Sequence, residues 1–511
     1  MTGMLLSILV AGLLALIWLA HAAPVQYPVS DIAVTELYTR LAGRGELLVG
    51  PYSRYSWHHP GPFYFYVLWP FYAMSGGHTA GLSVGAWAIY SASLGVASAA
   101  IWRMRWGTLP LLFALAMTGV TVRFPGLSVS PWNPHVIVMP MVALIVCTAA
   151  VIGGHIEFIV GVALAFSLVA QTHVSVALPG ALMMAASLIA ASVGMVSADV
   201  TRRRRSALLV GVTSIVLLVA WVPPILEQYL ARQGNLAALW RYFARPPHVH
   251  QSVQYALRTA ADAFFGLFRP AFGLARGALV AGSDMALLAV ALLGLVAVLT
   301  FVAFNTRRTT PLSVRALSLL TAATVVTTAW SLTRVDDQIY DHVVFWLCGI
   351  GAVALVIAAH LALEPLLAKA RSWHSAANLI GVVTCVCVCV LVGIRETETV
   401  MHALEVSPES QTIKALSRAT VEYLRTNKHK PLILVPQDRW EQTAGLVVEL
   451  NRAGMRFAVE TPWLDMFTNR LSPDGSESVS LVIVQANDAG ADAVVARSNE
   501  VVVVERTLSA Q

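Results

Sequence analysis

The sequence predicts a polytopic α-helical membrane protein of about eleven spans, carrying a small α/β domain outside the membrane at its C-terminal end. Three observations predict it. Of 511 residues 57% are hydrophobic and only 12% charged, and the mean hydropathy is +0.68, so water cannot be the main solvent. Apolar runs near the length needed to cross a bilayer recur through the first four hundred residues. The arginine clusters fall in alternate loops. The net charge of +6 and pI near 9.1 therefore reflect membrane topology, and nucleic acid is not an expected partner.

The first apolar run covers 4–20. Although Ala20-His21-Ala22 looks like a signal-peptidase site, no Lys or Arg precedes the run and it is long for a leader, so it reads as a retained span. A polar stretch, Ser30 to Pro62, follows. Asp31, Thr35, Tyr38 and Glu36, Arg40 have the spacing of a short amphipathic helix, capped by Ser30 or Asp31 and expected to lie flat on the membrane surface. Phe63 to Met74 is aromatic and too short to cross, which suits a juxtamembrane helix.

Further spans are expected at 79–102, 108–123, 133–152, 156–172, 174–196, 206–223, 284–304, 312–331, 343–362 and 376–394. Alternate loops then hold Arg103 and Arg105, Arg202 to Arg205, Arg307 and Arg308, and Lys369 and Arg371. This puts the N-terminus in the cytoplasm and the tail outside. The run Arg202 to Arg205 serves topology or recognises anionic lipid. Between spans, 224–283 contains helix-like, aromatic pieces at Asn235 to Ala244 and Val253 to Phe268, which suit the membrane interface. The transmembrane part is 1–400, with outer loops 24–78 and 224–283, and the soluble domain is 401–511. In that domain helices are expected at 410–427 and 440–453 and strands at 431–436, 456–460, 480–485 and 501–505.

All five cysteines, Cys147, Cys348, Cys385, Cys387 and Cys389, sit in apolar runs, against a disulfide framework or zinc site. Polar residues gather instead at outer loop ends. Arg54-Tyr55-Ser56-Trp57-His58-His59-Pro60-Gly61-Pro62 couples a Pro-fixed turn to donors for phosphate or sugar oxygens. Its rival readings are an aromatic belt and a His58-His59 metal pair. Ser130-Pro131-Trp132-Asn133-Pro134-His135 and Gln171-Thr172-His173 mark span ends, as binding groups or as caps and interhelical hydrogen bonds. Arg334 suits a phosphate, while Asp336, Asp337 and Asp341 offer ligands to a divalent cation or form a solvated loop; no cofactor is firmly implied.

Around Asp31, LLVGPYSRYSWHHPGPFYFY, WNPH and QTH, the chain resembles the GT-C glycosyltransferases, in the branch of the bacterial aminoarabinose, arabinofuranosyl and mannosyl transferases and of RgtA-like proteins. The resemblance covers roughly 1–400. It implies inverting transfer of a sugar from a polyprenyl-phosphate carrier to an extracytoplasmic glycan, lipid or protein. It also implies Asp31 as the base that deprotonates the acceptor, with Glu36 as the alternative. Arg54, Tyr55, His58, His59, His173 and Arg334 are the donor and phosphate candidates, and Glu36, Trp132 and Trp440 those for the acceptor. Trp463 and Phe467 are further stacking candidates in the tail. Many members of the family carry two adjacent acidic residues in the first loop, whereas Asp31 stands between Ser30 and Ile32, so the metal question stays open. A transporter or flippase of lipid-linked saccharides and an O-antigen polymerase or ligase are the competing readings.

Overall fold

A computed structural model describes residues 13–104, 107–196, 198–245, 251–269, 285–304, 310–336, 338–369, 408–490 and 492–506. The start of the first apolar run, the run 376–394 with Cys385, Cys387 and Cys389, and Arg105, Arg307, Arg308, Asp337 and Arg371 lie outside the described residues. The chain forms two compact units that cut across the compositional boundary at 400. One combines 1–85 with 401–511, and the other is 86–400.

In the second unit the apolar runs are helices where hydropathy places them. Among the described residues six helices are long and apolar enough to cross a membrane: Ala80–Met104, Asn133–Ile152, Val174–Val196, Val200–Leu230, Ala286–Phe304 and Leu312–Leu332. Leu13–Ala22, Leu109–Arg123, Ile156–Thr172 and Leu347–Leu363 are shorter apolar helices. The helix Val138–Ile152 is buried from Val138 to Val151 and packs against Ile159–Thr172, Ala177–Val196 and Leu312–Leu332. By contrast, Val200–Leu230 exposes Leu208, Ile215 and Leu218, and Met285–Phe304 exposes Val290 and Phe301. Such outward apolar faces suit lipid, because each helix satisfies its own backbone polar groups. In Leu312–Leu332 the hydroxyls of Ser318, Thr321 and Thr328 donate to carbonyls one turn back at 2.9, 2.7 and 2.7 Å, which lets them lie in apolar surroundings.

In the stretch after residue 224, Val253–Phe264 packs against Met285–Phe304, Leu312–Leu332 and Leu347–Lys369. It does so through buried Ala256, Ala260, Ala261 and Ala263, small residues that allow close backbone approach. Gly351 is part of the fit, since a Cβ there would stand 1.9 Å from the Phe264 carbonyl oxygen.

The first unit holds a five-stranded sheet with β1 (Pro431–Leu434), β2 (Ala458–Val459), β3 (Val479–Gln485), β4 (Ala493–Ser498) and β5 (Val501–Arg506) in the order β2-β1-β3-β5-β4. β1 runs parallel to β2 and β3, while β5 is antiparallel to β3 and β4. The β4 strand was not expected from the sequence. Its burial is shallow and it pairs only at the sheet edge, so its residues carry a weak apolar signal. Helices Pro408–Asn427 and Trp440–Arg452 pack on one another, and the second also packs against Ser30–Gly43. Gly445 permits that approach: a Cβ would meet the Pro28 carbonyl oxygen at 2.6 Å.

Candidate active site

The helix expected after the first span is present as Ser30–Gly43, but neither Ser30 nor Asp31 caps it. Its N-cap is Val29, without a side-chain hydrogen bond. The Ser30 hydroxyl donates to Glu441 at 3.3 Å, and the half-buried Asp31 carboxylate accepts from the Tyr52 hydroxyl. Nor does this helix keep an exposed polar face. Phe63–Met74 and Trp440–Arg452 pack against it, and Ala33 through Thr39 are all buried. Burial on several faces removes the polar stripe that the spacing implied.

Glu36 is the clearest case. Its side chain is fully buried, and Arg452 grips it through Nε at 2.6 Å and Nη2 at 2.7 Å. The Tyr72 and Thr79 hydroxyls donate to it at 2.9 and 2.8 Å. A carboxylate so enclosed has no open side for a substrate hydroxyl, so this geometry supports neither the alternative-base nor the acceptor role. Arg452 also donates to Glu449 at 2.6 Å, and Arg40 donates to Tyr72 at 3.0 Å and Asn451 at 2.9 Å.

The HHPGP turn closes a short ribbon. His59 N–H donates to the Pro51 carbonyl at 2.8 Å, Gly50 N–H to His59 at 3.2 Å and Ser53 N–H to Trp57 at 3.1 Å, with Tyr52 bridged to His58. Ser56, with φ of 55°, turns the tip. At that tip the exposed Arg54 lies 4.9 Å over the Tyr55 ring and donates to its hydroxyl at 2.7 Å, and Tyr55 stacks on Trp57 at 5.8 Å. The ribbon thus joins Arg54 and Tyr55 to Asp31 through Tyr52. Tyr52 was missed in the sequence, where its one signal was membership of the YSRYSW run.

The two histidines face different neighbours. His58 lies by Tyr38, with ring centroids 6.5 Å apart, and beside Asp465, whereas His59 packs edge-on to Trp57 at 5.5 Å. They form no metal pair. Burial pushes the His58 imidazole down to about 4, against the opposing pull of Asp465, so it is neutral at neutral pH. The Tyr38 hydroxyl donates to the Met466 carbonyl at 3.0 Å, and burial first, with Asp465 next, holds it well above the usual phenol range.

In the other unit, Trp132 meets His135 at 4.8 Å and His342 at 5.7 Å, and His342 stacks on Tyr340. Ser130 bonds His135 Nδ1 at 2.8 Å. His173 Nδ1 bonds Ser175 at 2.7 Å, and the Trp346 indole donates to the same hydroxyl at 3.2 Å. Burial, and next His342, hold His173 well below the usual imidazole range. Trp132 is only 9% exposed, which leaves its ring little face for an acceptor sugar. Asn133 caps across to the Thr172 carbonyl at 3.4 Å, the bland role. Arg334 is half-buried with its guanidinium 5.3 Å over Trp330.

In the tail Trp440 and Trp463 are half-buried, but Phe467 is wholly inside and therefore core rather than a sugar platform. Among the described residues no group of three or more His, Cys, Asp or Glu is arranged to hold a metal ion.

Two crystal structures of ArnT from Cupriavidus metallidurans, one apo and one bound to undecaprenyl phosphate, share this architecture. Each superposes with a TM-score of 0.52, spanning 99% of this chain and 98% of ArnT. The fold is that of ArnT. Sequence identity to the two ArnT structures is 14% and 15%, so the likeness resides in the chain path. No family profile matches the sequence, and no curated protein matches it. The ArnT fold agrees with a helical, polytopic membrane protein.

Proposed function

We propose that this protein is a glycosyltransferase that moves a sugar, with inversion, from a polyprenyl-phosphate carrier to an extracytoplasmic glycan, lipid or protein. The supporting observation is the Asp31 carboxylate, half-exposed and held by the Tyr52 hydroxyl on the ribbon that carries Arg54 and Tyr55. The ArnT fold, seen with undecaprenyl phosphate in one crystal structure, supports the choice of carrier.

In this reading Asp31 takes the proton of the acceptor hydroxyl as that oxygen attacks the anomeric carbon. The bond from that carbon to the phosphate oxygen breaks, and the electron pair leaves with polyprenyl phosphate. A guanidinium offsets the charge gathering on the departing phosphate, a role for which Arg54 and Arg334 are the candidates. His58, neutral through burial, helps by shape and hydrogen bonding rather than charge. His59 and His173 fix their loops, through Trp57 and Ser175. The tail, Trp440 included, recognises the acceptor or shapes the site without supplying a catalytic group.

The test is Asp31→Asn in purified protein given a carrier-linked sugar and an acceptor. Transfer should fall by about a hundredfold or more. Full activity would remove Asp31 from the reaction. Mass spectrometry of the copurifying lipid should find a polyprenyl phosphate or its glycoside. Movement of an intact lipid-linked saccharide without glycosidic transfer would favour a flippase instead.

A further inference from the structure

Away from Asp31 the first unit has an open cleft of ≈ 730 Å³ lined by Pro24, Val25, Tyr27, Gln411, Lys414 and Arg418. Lys414 and Arg418 are one helical turn apart on Pro408–Asn427, so both project to the same side. Both are exposed, and neither side chain makes an ion pair or hydrogen bond among the described residues. Gln411, one turn earlier, and the half-buried Tyr27 add uncharged donors. The opposite wall is tied in place, because Tyr27 N–H donates to the Ser410 hydroxyl at 2.7 Å.

The position of that wall suggests the ligand. Leu13–Ala22 is an apolar helix whose Leu14 and Trp18 point outward, 60% and 68% exposed, as side chains do against lipid with an interfacial tryptophan near the end. Pro24 follows its last residue by two positions and Tyr27 by five, a reach of at most roughly 17 Å. On the membrane reading of the chain, the cleft therefore opens where the chain leaving the bilayer passes the phosphate layer.

We infer that Lys414, Arg418, Tyr27 and Gln411 form a binding site for the phosphodiester headgroup of an anionic phospholipid. The headgroup anchors the tail helix to the membrane surface beside the exit of the first apolar helix. Two adjacent cations meet the phosphate charge, and the neutral donors take its remaining oxygens. The inference rests on the membrane reading of the chain and on no step of sugar transfer. An inactive Asp31→Asn protein should therefore bind lipid normally.

The full chain in neutral detergent can be titrated with phosphatidylglycerol while hydrogen exchange is followed in peptides covering 23–29 and 408–420. These report the cleft and not Arg202 to Arg205 in the first turns of Val200–Leu230. Phosphatidylglycerol should slow exchange in both peptides, and Lys414→Gln with Arg418→Gln should weaken the effect roughly tenfold or more. If the double variant does not fold, each single substitution should weaken it by a smaller step. Equal protection by phosphatidylcholine, or an unchanged titration in the substituted proteins, would overturn the site. Equal protection by inorganic phosphate at matched concentration would also overturn the lipid assignment, leaving a soluble-anion site.

Discussion

Arg452 holds Glu36 with two parallel hydrogen bonds of 2.6 and 2.7 Å across 416 residues of sequence. The carboxylate is wholly buried and the guanidinium nearly so. This pair ties the helix bearing Asp31 to the C-terminal helix Trp440–Arg452. It explains why the tail and the first loop form one compact unit.

Breaking the pair should be costly. Arg452→Ala leaves a buried carboxylate without its counter-charge, an expected loss of about 3–5 kcal/mol, read as a lower thermal midpoint in detergent. Glu36→Leu together with Arg452→Met should cost less than Arg452→Ala, because the double variant strands Glu449 alone whereas the single variant strands both Glu36 and Glu449. A cycle with the opposite order would show that the pair is not the contact that matters.

Deleting 408–511 should abolish donor hydrolysis and transfer alike. The truncation removes Arg452 and uncovers Glu36 and the other side chains that the tail helix buries, so the Asp31 helix loses its support. A truncated chain that stays folded and still hydrolyses the carrier-linked sugar would show that the first loop stands alone.

Stability should fall as pH rises from about 4.5 to about 7. Burial pushes the Glu449 carboxyl up to about 7, Arg452 notwithstanding, since that charge is shared with Glu36. A folded-state value above the ordinary 4.5 means the native form binds more protons between those two limits. The associated stability is complete below about 4.5 and is lost as pH climbs past about 7. In Glu449→Gln, thermal midpoints measured across this window should lose that decline.

Tyr52→Phe separates positioning from chemistry. The hydroxyl holds the Asp31 carboxylate in place, so removing it should lower the transfer rate by less than Asp31→Asn does while the protein stays folded. An unchanged rate would take Tyr52 out of the site.

Topology gives an independent check. Reporter fusions at residues 203, 307 and 370 should sit in the cytoplasm and one after 400 outside, as the arginine clusters require. A cytoplasmic tail would invert the arrangement and the proposed location of the reaction.

The sequence alone determined the helical membrane class, the boundaries of most apolar helices, and the polar loop holding Asp31 and the HHPGP turn. These follow from composition and from contacts within a few residues, which a linear reading contains. The mixed sheet was partly legible, through the apolar strands β1, β3 and β5, but not through edge strand β4. What only tertiary structure decided was the environment of each polar side chain. Glu36 read as a surface or catalytic carboxylate until Arg452 closed on it, and Phe467 read as a sugar platform until it proved to be core. Tyr52 gained its place at Asp31 through a ribbon whose two edges pair backbone to backbone. Burial, counter-charge and the partner of a hydrogen bond come from residues far apart in the chain, so they exist only once the chain has folded.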